Sequence, residues 1–332
     1  MTATTGFWAD PRLRRFRPQS RHIPVLATLA LIVGMYGAGA AQYRAFSDGQ
    51  VILNIFIDNA FLLVVAVGMT FVILSGGIDL SVGSVVALST MVSAELLEHR
   101  GWPAFIVLPV VLAIGSLLGF AMGCIIHYFE IQPFIVTLAG MFLARGLCYT
   151  ISTSSIPITD SFWTSLAQEK IRFGGYYISP SVVIALIVVL VGIYVLGYTR
   201  LGRSTYAVGG NPNSALLMGL PVGRTKISVY TISGFCSALG GVLFSFYTLS
   251  GYGLYGVGLE LDAIAAVVIG GTLLTGGSGY LVGTVLGVLV LGLIQTLIIF
   301  DGRLSSWWTR IVVGVLLFAF ILLQRIIAIR KK

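Results

Sequence analysis

The chain has 332 residues, of which 57% are hydrophobic and only 10% charged, and its mean hydropathy is +0.98. Soluble globular domains carry about 25% charged residues, so a water-soluble enzyme or binding domain is excluded and the fold class is an all-α, polytopic membrane protein. The net charge of +8 is scattered over tails and loops, which reads as membrane orientation; nucleic acid is not expected as a partner.

A bilayer core needs roughly 20 apolar residues per helix. In chain order about ten segments qualify, at 24–42, 51–74, 81–97, 104–127, 134–151, 179–198, 226–250, 260–274, 281–300 and 308–328. The third and eighth are short. The runs are continuous rather than alternating, which argues against a β-barrel. Residues 1–22 are basic and carry Pro11 and Pro18, so they read as a cytoplasmic tail attracted to anionic lipid. Residues 23–332 read as a single transmembrane domain whose first span is retained, since no small-residue cleavage site follows it. With ten spans and a cytoplasmic N-terminus, 13 of the 20 basic residues fall inside, in keeping with the positive-inside rule, and both termini are cytoplasmic.

The stretch GMTFVILSGGIDLSVGS at 68–84 interrupts this apolar background. A carboxylate and a glycine pair at the end of an apolar helix imply that the backbone breaks there or lines a wet cavity. Asp79 has two open readings: a structural acceptor for the freed N–H groups of the next helix, or part of a pathway. A second such place is ELDAIAAVVIGGTLLTGGSGY at 260–280, and both contain G-G-x-x-L-[S/T]-x-G, at Gly76–Gly83 and Gly270–Gly277. With 41 glycines in the chain, this repeat is weak evidence of duplication. Thr70, Ser75, Asp79, Thr272 and Thr275 are the candidate pathway residues. Glu260 and Asp262 read as acids favoured by a helix N-terminus.

Between these places several residues stand out. Asn54, Asp58 and Asn59 read as interfacial polar groups or as the mouth of a pathway. Arg145 lies inside an apolar segment and either snorkels outward or pairs with Asp79, Glu95 or Glu260. In loop 152–178, Trp163, Tyr176 and Tyr177 suit an interfacial belt. The stretch 199–225 predicts a short helix over about 212–218, with Asn211 as its cap, Pro212 in its first turn, Gly219 as its stop and Pro221 beyond. So short a helix is not stable alone in water. Asn211, Pro212, Asn213, Ser214, Ala215, Leu216, Leu217, Met218 and Gly219 are therefore a candidate contact with a partner groove.

No P-loop, H-E-x-x-H, paired Cys/His spacing or nucleophile elbow occurs. Cys124, Cys148 and Cys236 read as packing residues, and no metal or cofactor is expected on this chain. Transport without catalysis is the better default, with a structural or sensory membrane subunit as a further alternative.

Four stretches then carry a family: VGMTFVILSGGIDLSVGSV at 67–85, IQPFIVTLAGMFLARG at 131–146, YAVGGNPNSALLMGL at 206–220 and LELDAIAAVVIGGTLLTGGSGYLVGT at 259–284. The chain resembles the permease subunits of bacterial ribose-type sugar importers of the ATP-binding cassette class, over residues 50–325. ISTSSIPI at 151–158, SGYGLYGVGLELDAIA at 250–265 and FDGRLSSWWTRI at 300–311 resemble the galactofuranose branch of that family. The resemblance implies a fold like that of vitamin B12-type (type II) importers, with about ten helices, in the bacterial inner membrane. It implies an ATP-binding subunit that holds ATP and Mg, a second and different permease chain, and a periplasmic sugar-binding protein. It also places the 211–219 region at the ATPase. The rival reading is an ion-coupled secondary transporter in which Asp79 and Glu260 bind the coupling ion.

Overall fold

The computed structural model describes residues 23–305 and 307–329; the basic tail 1–22 lies outside the described residues. The chain is almost wholly helical. Ile23–Gln42 forms α1, followed by a 3-10 turn at Arg44–Ser47, then α2 (Gly49–Asp58) and α3 (Ala60–Leu74). The helix expected over 51–74 is thus two helices, bent by 59°. The bend falls at Asn59, whose Nδ2 donates to the Ile55 carbonyl (2.9 Å). Asn54 lies on the short arm and accepts from Gln50 Nε2 (2.9 Å).

α3 is apolar on every face, and every residue but Phe61 is buried. A helix that is hydrophobic all round must be surrounded by protein or lipid, and here protein surrounds it. α4 (Val82–Ala94) is equally enclosed, leaving only Val92 partly exposed, and continues as a π turn at Glu95–His99. Around this pair lie α5 (Ala104–Tyr128), α6 (Pro133–Ile151), α8 (Pro180–Tyr198) and the long α11 (Val222–Thr248). α11 runs against α3, α4 and α5. Its approach to α5 is backbone to backbone: a Cβ on Gly234 would stand 2.2 Å from the Gly115 carbonyl oxygen. Small residues permit such contact where no hydrophobic force drives helices together in lipid.

The remaining helices are α7 (Ser161–Gln168), α9 (Arg200–Gly210), α10 (Pro212–Leu217), α12 (Leu259–Ile269), α13 (Leu281–Asp301) and α14 (Trp307–Ile329). Seven helices among the described residues are long and apolar enough to cross a membrane, or eight if α2 and α3 make one broken span. This is fewer than the ten segments expected. The differences are α4 and α12, of 13 and 11 residues, which are short because the chain breaks at 75–81 and 270–280.

Two short sheets and α7 gather at one end, here termed the strand end. β1 (Ile156–Pro157) pairs with β4 (Ser250–Gly251), and β2 (Ile171–Phe173) with β3 (Tyr176–Ile178), both antiparallel. α7 is capped by Asp160, which accepts from the Trp163 amide (3.0 Å). Trp163 is not an interfacial residue as expected: it is fully buried, and its Nε1 donates to Ser245 Oγ (2.9 Å). The indole thus satisfies its one donor while filling the space against Phe246. Tyr176 remains exposed.

Glu98 ties the end of α4 to this layer. Its carboxylate accepts from the Thr159 amide and hydroxyl and from the Asp160 amide. Burial raises its pKa, but these hydrogen bonds, helped by His99, outweigh that and hold it below the ordinary glutamate value. Arg145 neither snorkels nor meets an acid among the described residues. Its Nη1 donates to the carbonyls of Gly253 (2.5 Å) and Tyr255 (2.7 Å), so it fastens α6 to the loop before α12. Glu95 is taken instead by His99 and Arg100.

Candidate functional site

At the opposite end two helix breaks and one connecting helix meet, and several of the residues singled out in sequence lie there. At the first break, α3 ends with Ser75 returning its hydroxyl to the Val72 carbonyl (2.7 Å). Gly76 then takes φ +83°, a left-handed conformation that costs a side-chain-bearing residue roughly 1 kcal/mol or more. Asp79 follows and is 1% exposed. One carboxylate oxygen accepts from the Ser81 amide (2.9 Å) and Ser81 Oγ (2.6 Å), and the other from Ser233 Oγ (2.6 Å) on α11. Three donors hydrogen-bond this buried carboxylate. Of its two open readings, the structural one describes this geometry: Asp79 organises the entry to α4 and pins it to α11. Thr137 on α6 adds a hydrogen bond to the Ile78 carbonyl (3.3 Å).

The expected consequence is measurable. Asp79→Ala leaves Ser81 and Ser233 without their acceptor and lowers stability by about 3 kcal/mol, whereas Asp79→Asn keeps one oxygen and costs less. Thermal unfolding of the purified chain in detergent separates the two; equal melting temperatures for both variants and the parent chain would refute this role.

The second break follows α12. Gly271 has φ +94°, and the Leu273 amide donates to the Ser278 carbonyl (2.9 Å) to close a tight loop. Thr272 is buried, and its carbonyl, with that of Val268, accepts from Gln324 Nε2 on α14 (3.2 Å each). Thr275 is exposed. The repeated glycine pattern is not repeated in conformation. The left-handed glycine is the first of the pair at Gly76 and the second at Gly271, while Gly270 has φ −64°.

Thr70 stands deeper in α3. Its hydroxyl donates to the Ala66 carbonyl (2.6 Å) and shares a hydrogen bond with Thr284 Oγ1 on α13 (2.8 Å). The five candidate pathway residues therefore do not line one cavity. Thr70, Ser75, Asp79 and Thr272 are buried and Thr275 alone is exposed, so they mark the two breaks and the α3–α13 seam.

α9 joins the two breaks. The Gly277 amide donates to the Leu74 carbonyl (2.9 Å), and Gly209 lies on this contact. A Cβ there would stand 1.8 Å from the Leu74 oxygen and 2.7 Å from the Gly277 nitrogen. One turn earlier, the Tyr206 hydroxyl donates to the Gly279 carbonyl (2.9 Å). α10 follows directly. Asn211 Oδ1 accepts from the Ser214 amide (3.0 Å), Pro212 opens the helix, and Gly219 at φ +75° ends it. The Leu220 amide returns to the Ala215 carbonyl (3.0 Å), a closure typical of glycine-terminated helices. The helix expected over 212–218 is present at Pro212–Leu217, with Met218 as its cap. Ala215 is buried, but Leu216, Leu217 and Met218 are 64, 89 and 68% exposed. Three consecutive apolar side chains on a helix beyond the spans form a ready contact surface.

The model of the family described as "Branched-chain amino acid transport system / permease component" matches residues 51–321. The chain belongs to this permease family. The permease is 48% identical over 306 residues to the inner membrane ABC transporter permease protein YjfF of Escherichia coli strain K12, covering 92% of each chain. It is 40% identical to the fructose import permease protein FruG of Bifidobacterium longum, over 98% of this chain and 97% of that one. It is 38% identical to the ribose import permease protein RbsC of Haemophilus influenzae, over 96% and 97%. No solved structure matches the chain. The permease is a multi-span membrane protein with two broken-helix junctions, α9 between them and the exposed α10 beside it.

Sequence reasoning missed Ser233, Tyr206, Gly209 and Thr284. Each is an ordinary residue in an ordinary helix, and only a partner from another segment gives it a role. Gly209-Gly210 beside the Asn-Pro cap was the one available signal of close contact.

Proposed function

We propose that this chain is the permease subunit of an ATP-binding cassette importer that moves a neutral monosaccharide across the bacterial inner membrane. The observation that carries the proposal is the pairing of full-length similarity to sugar import permeases with the exposed apolar helix α10, seated through α9 on both helix breaks. In this reading α10 docks on an ATP-binding subunit, which holds the ATP and Mg. The strand end faces a sugar-binding protein outside, and both termini are cytoplasmic. α4 and α12 complete ten crossings in an arrangement like that of vitamin B12-type importers, and a second, different permease chain completes the pathway. Galactofuranose is the proposed sugar, on the three stretches at 151–158, 250–265 and 300–311.

Motion of α10 would reach the two breaks through the contact at Gly209 without passing through flexible loop. Thr70, Ser75, Asp79, Thr272 and Thr275, at the two breaks and the α3–α13 seam, are the proposed substrate-pathway residues of the segments that move relative to one another. Both carboxylate oxygens of Asp79 are engaged by serine donors, and the rival in which it binds a coupling ion draws no support from the import permeases the chain resembles.

The test is reconstitution of the chain with its ATP-binding subunit, second permease and binding protein in proteoliposomes. ATP-dependent accumulation of labelled sugar, competed by galactofuranose in preference to ribose, fructose and allose, is the expected result. Ion-gradient-driven uptake by this chain alone would overturn the reading, and competition by another sugar would overturn only its substrate.

A further inference from the structure

At the strand end, α3, α12, α13 and α14 line a half-open cavity of about 340 Å³ that none of the roles above uses. Its walls carry Leu62, Ile299 and Val313 together with Asp262, Gln295, Thr309 and Arg310. Asp262 lies in the first turn of α12 and Arg310 in the first turn of α14. Both charges line the same space, yet among the described residues no ion pair joins them. Arg310 rests instead on the turn before α12, donating from Nη2 to the Val257 carbonyl (3.3 Å). Gln295 is exposed nearly two turns inside the Asp301 end of α13, about 9 Å by helical rise. An amide at that depth beside lipid is costly without a polar partner.

The surroundings say which side of the protein this is. Ile299, Trp307 and Ile311 are 75, 74 and 54% exposed, and Trp308 is exposed beside them. Tryptophan at a helix end beside open aliphatic surface is the composition of a membrane–water interface. The ligand best matched to the cavity therefore carries both an anion and a cation, donates hydrogen bonds from the cation, and continues into an apolar chain.

We propose that this cavity binds the headgroup of a zwitterionic phospholipid with a primary ammonium, phosphatidylethanolamine being the representative. Arg310 takes the phosphodiester, for which its planar fork is suited. Asp262 accepts from the ammonium, and Gln295 and Thr309 reach the glycerol and ester oxygens. Leu62, Ile299 and Val313 flank the start of the acyl chains. A choline headgroup has no N–H for Asp262, and a glycerol headgroup brings no cation to it, so both bind less well. The proposal does not depend on the sugar or on the mode of energy coupling.

The test uses the assembled transporter in nanodiscs of phosphatidylcholine doped with either phosphatidylethanolamine or phosphatidylglycerol, with bound lipid counted by native mass spectrometry after extraction. Phosphatidylethanolamine is expected to be retained over both others. Arg310→Gln is expected to lower that retention about tenfold, the effect of losing one charge-assisted contact. Asp262→Asn is expected to abolish the preference over phosphatidylcholine while total phospholipid retained at the site stays close to the parent value. Equal retention of all three lipids by the parent complex overturns the proposal without recourse to any variant. So does retention unchanged in both variants, or displacement of the lipid by saturating sugar, which would make the cavity a sugar site.

Discussion

Leu217→Asp is expected to release the ATP-binding subunit while leaving the permease folded. Leu217 is 89% exposed, and its replacement removes no contact within the chain, so stability should change by no more than about 0.5 kcal/mol. At an interface the same side chain is positioned as an anchor, with Leu216 and Met218 beside it. An aspartate there must be desolvated against an apolar groove, which costs an anchor residue 2 kcal/mol or more, about 30-fold in affinity. Co-purification of the tagged permease with its ATPase, before and after the substitution, reads the effect. Size-exclusion profiles establish that the permease itself is intact, and Leu217→Met serves as the conservative control. Undiminished co-purification with Leu217→Asp would remove α10 as the docking element.

Gly209→Val is expected to abolish ATP-driven uptake with the ATPase still bound. The added Cβ would fall 1.8 Å from the Leu74 carbonyl oxygen, an atom already engaged by the Gly277 amide. Backbone must therefore move, and overpacking of this kind costs about 1–3 kcal/mol. The cost falls on the contact that joins α9 to both breaks, so uptake should drop about 5- to 150-fold at about 1.4 kcal/mol per tenfold, while docking at α10 persists. Gly210→Ala is the internal control, since a Cβ on Gly210 meets nothing within 4 Å. Equal uptake by Gly209→Val and the parent chain would show that the glycine contact carries no coupling. The two substitutions separate docking from transmission: one loses the partner, and the other keeps it without effect.

What could be read from the sequence follows a physical division. Hydropathy is a local quantity, so the membrane class was evident from composition, and most long helices from their runs. Cap chemistry is also local. Asn211, Pro212 and Gly219 act within one turn of the backbone, which is why α10 was found to within a residue. The glycine pairs at 76–77 and 270–271 announced broken helices for the same reason: left-handed backbone strongly favours glycine wherever the chain stands.

Other features depended on neighbours far away in the chain. Trp163 looks interfacial by type, but its burial rests on Ser245 and Phe246, more than 80 residues on. Arg145 looked as if it needed an acid and found two carbonyls, because the loop at 253–255 turns its oxygens toward α6. Asp79 takes one of its donors from Ser233 on α11, 154 residues on.

By itself the sequence determined that this protein lives in a membrane, where its chain breaks and which short helix stands outside the spans, since each is set by residues within a few positions of one another. Only the tertiary structure decided that both breaks meet at Gly209, that the buried carboxylate is satisfied, and that Asp262 and Arg310 face one cavity. Those are distances between segments up to 200 residues apart, and no local preference encodes them.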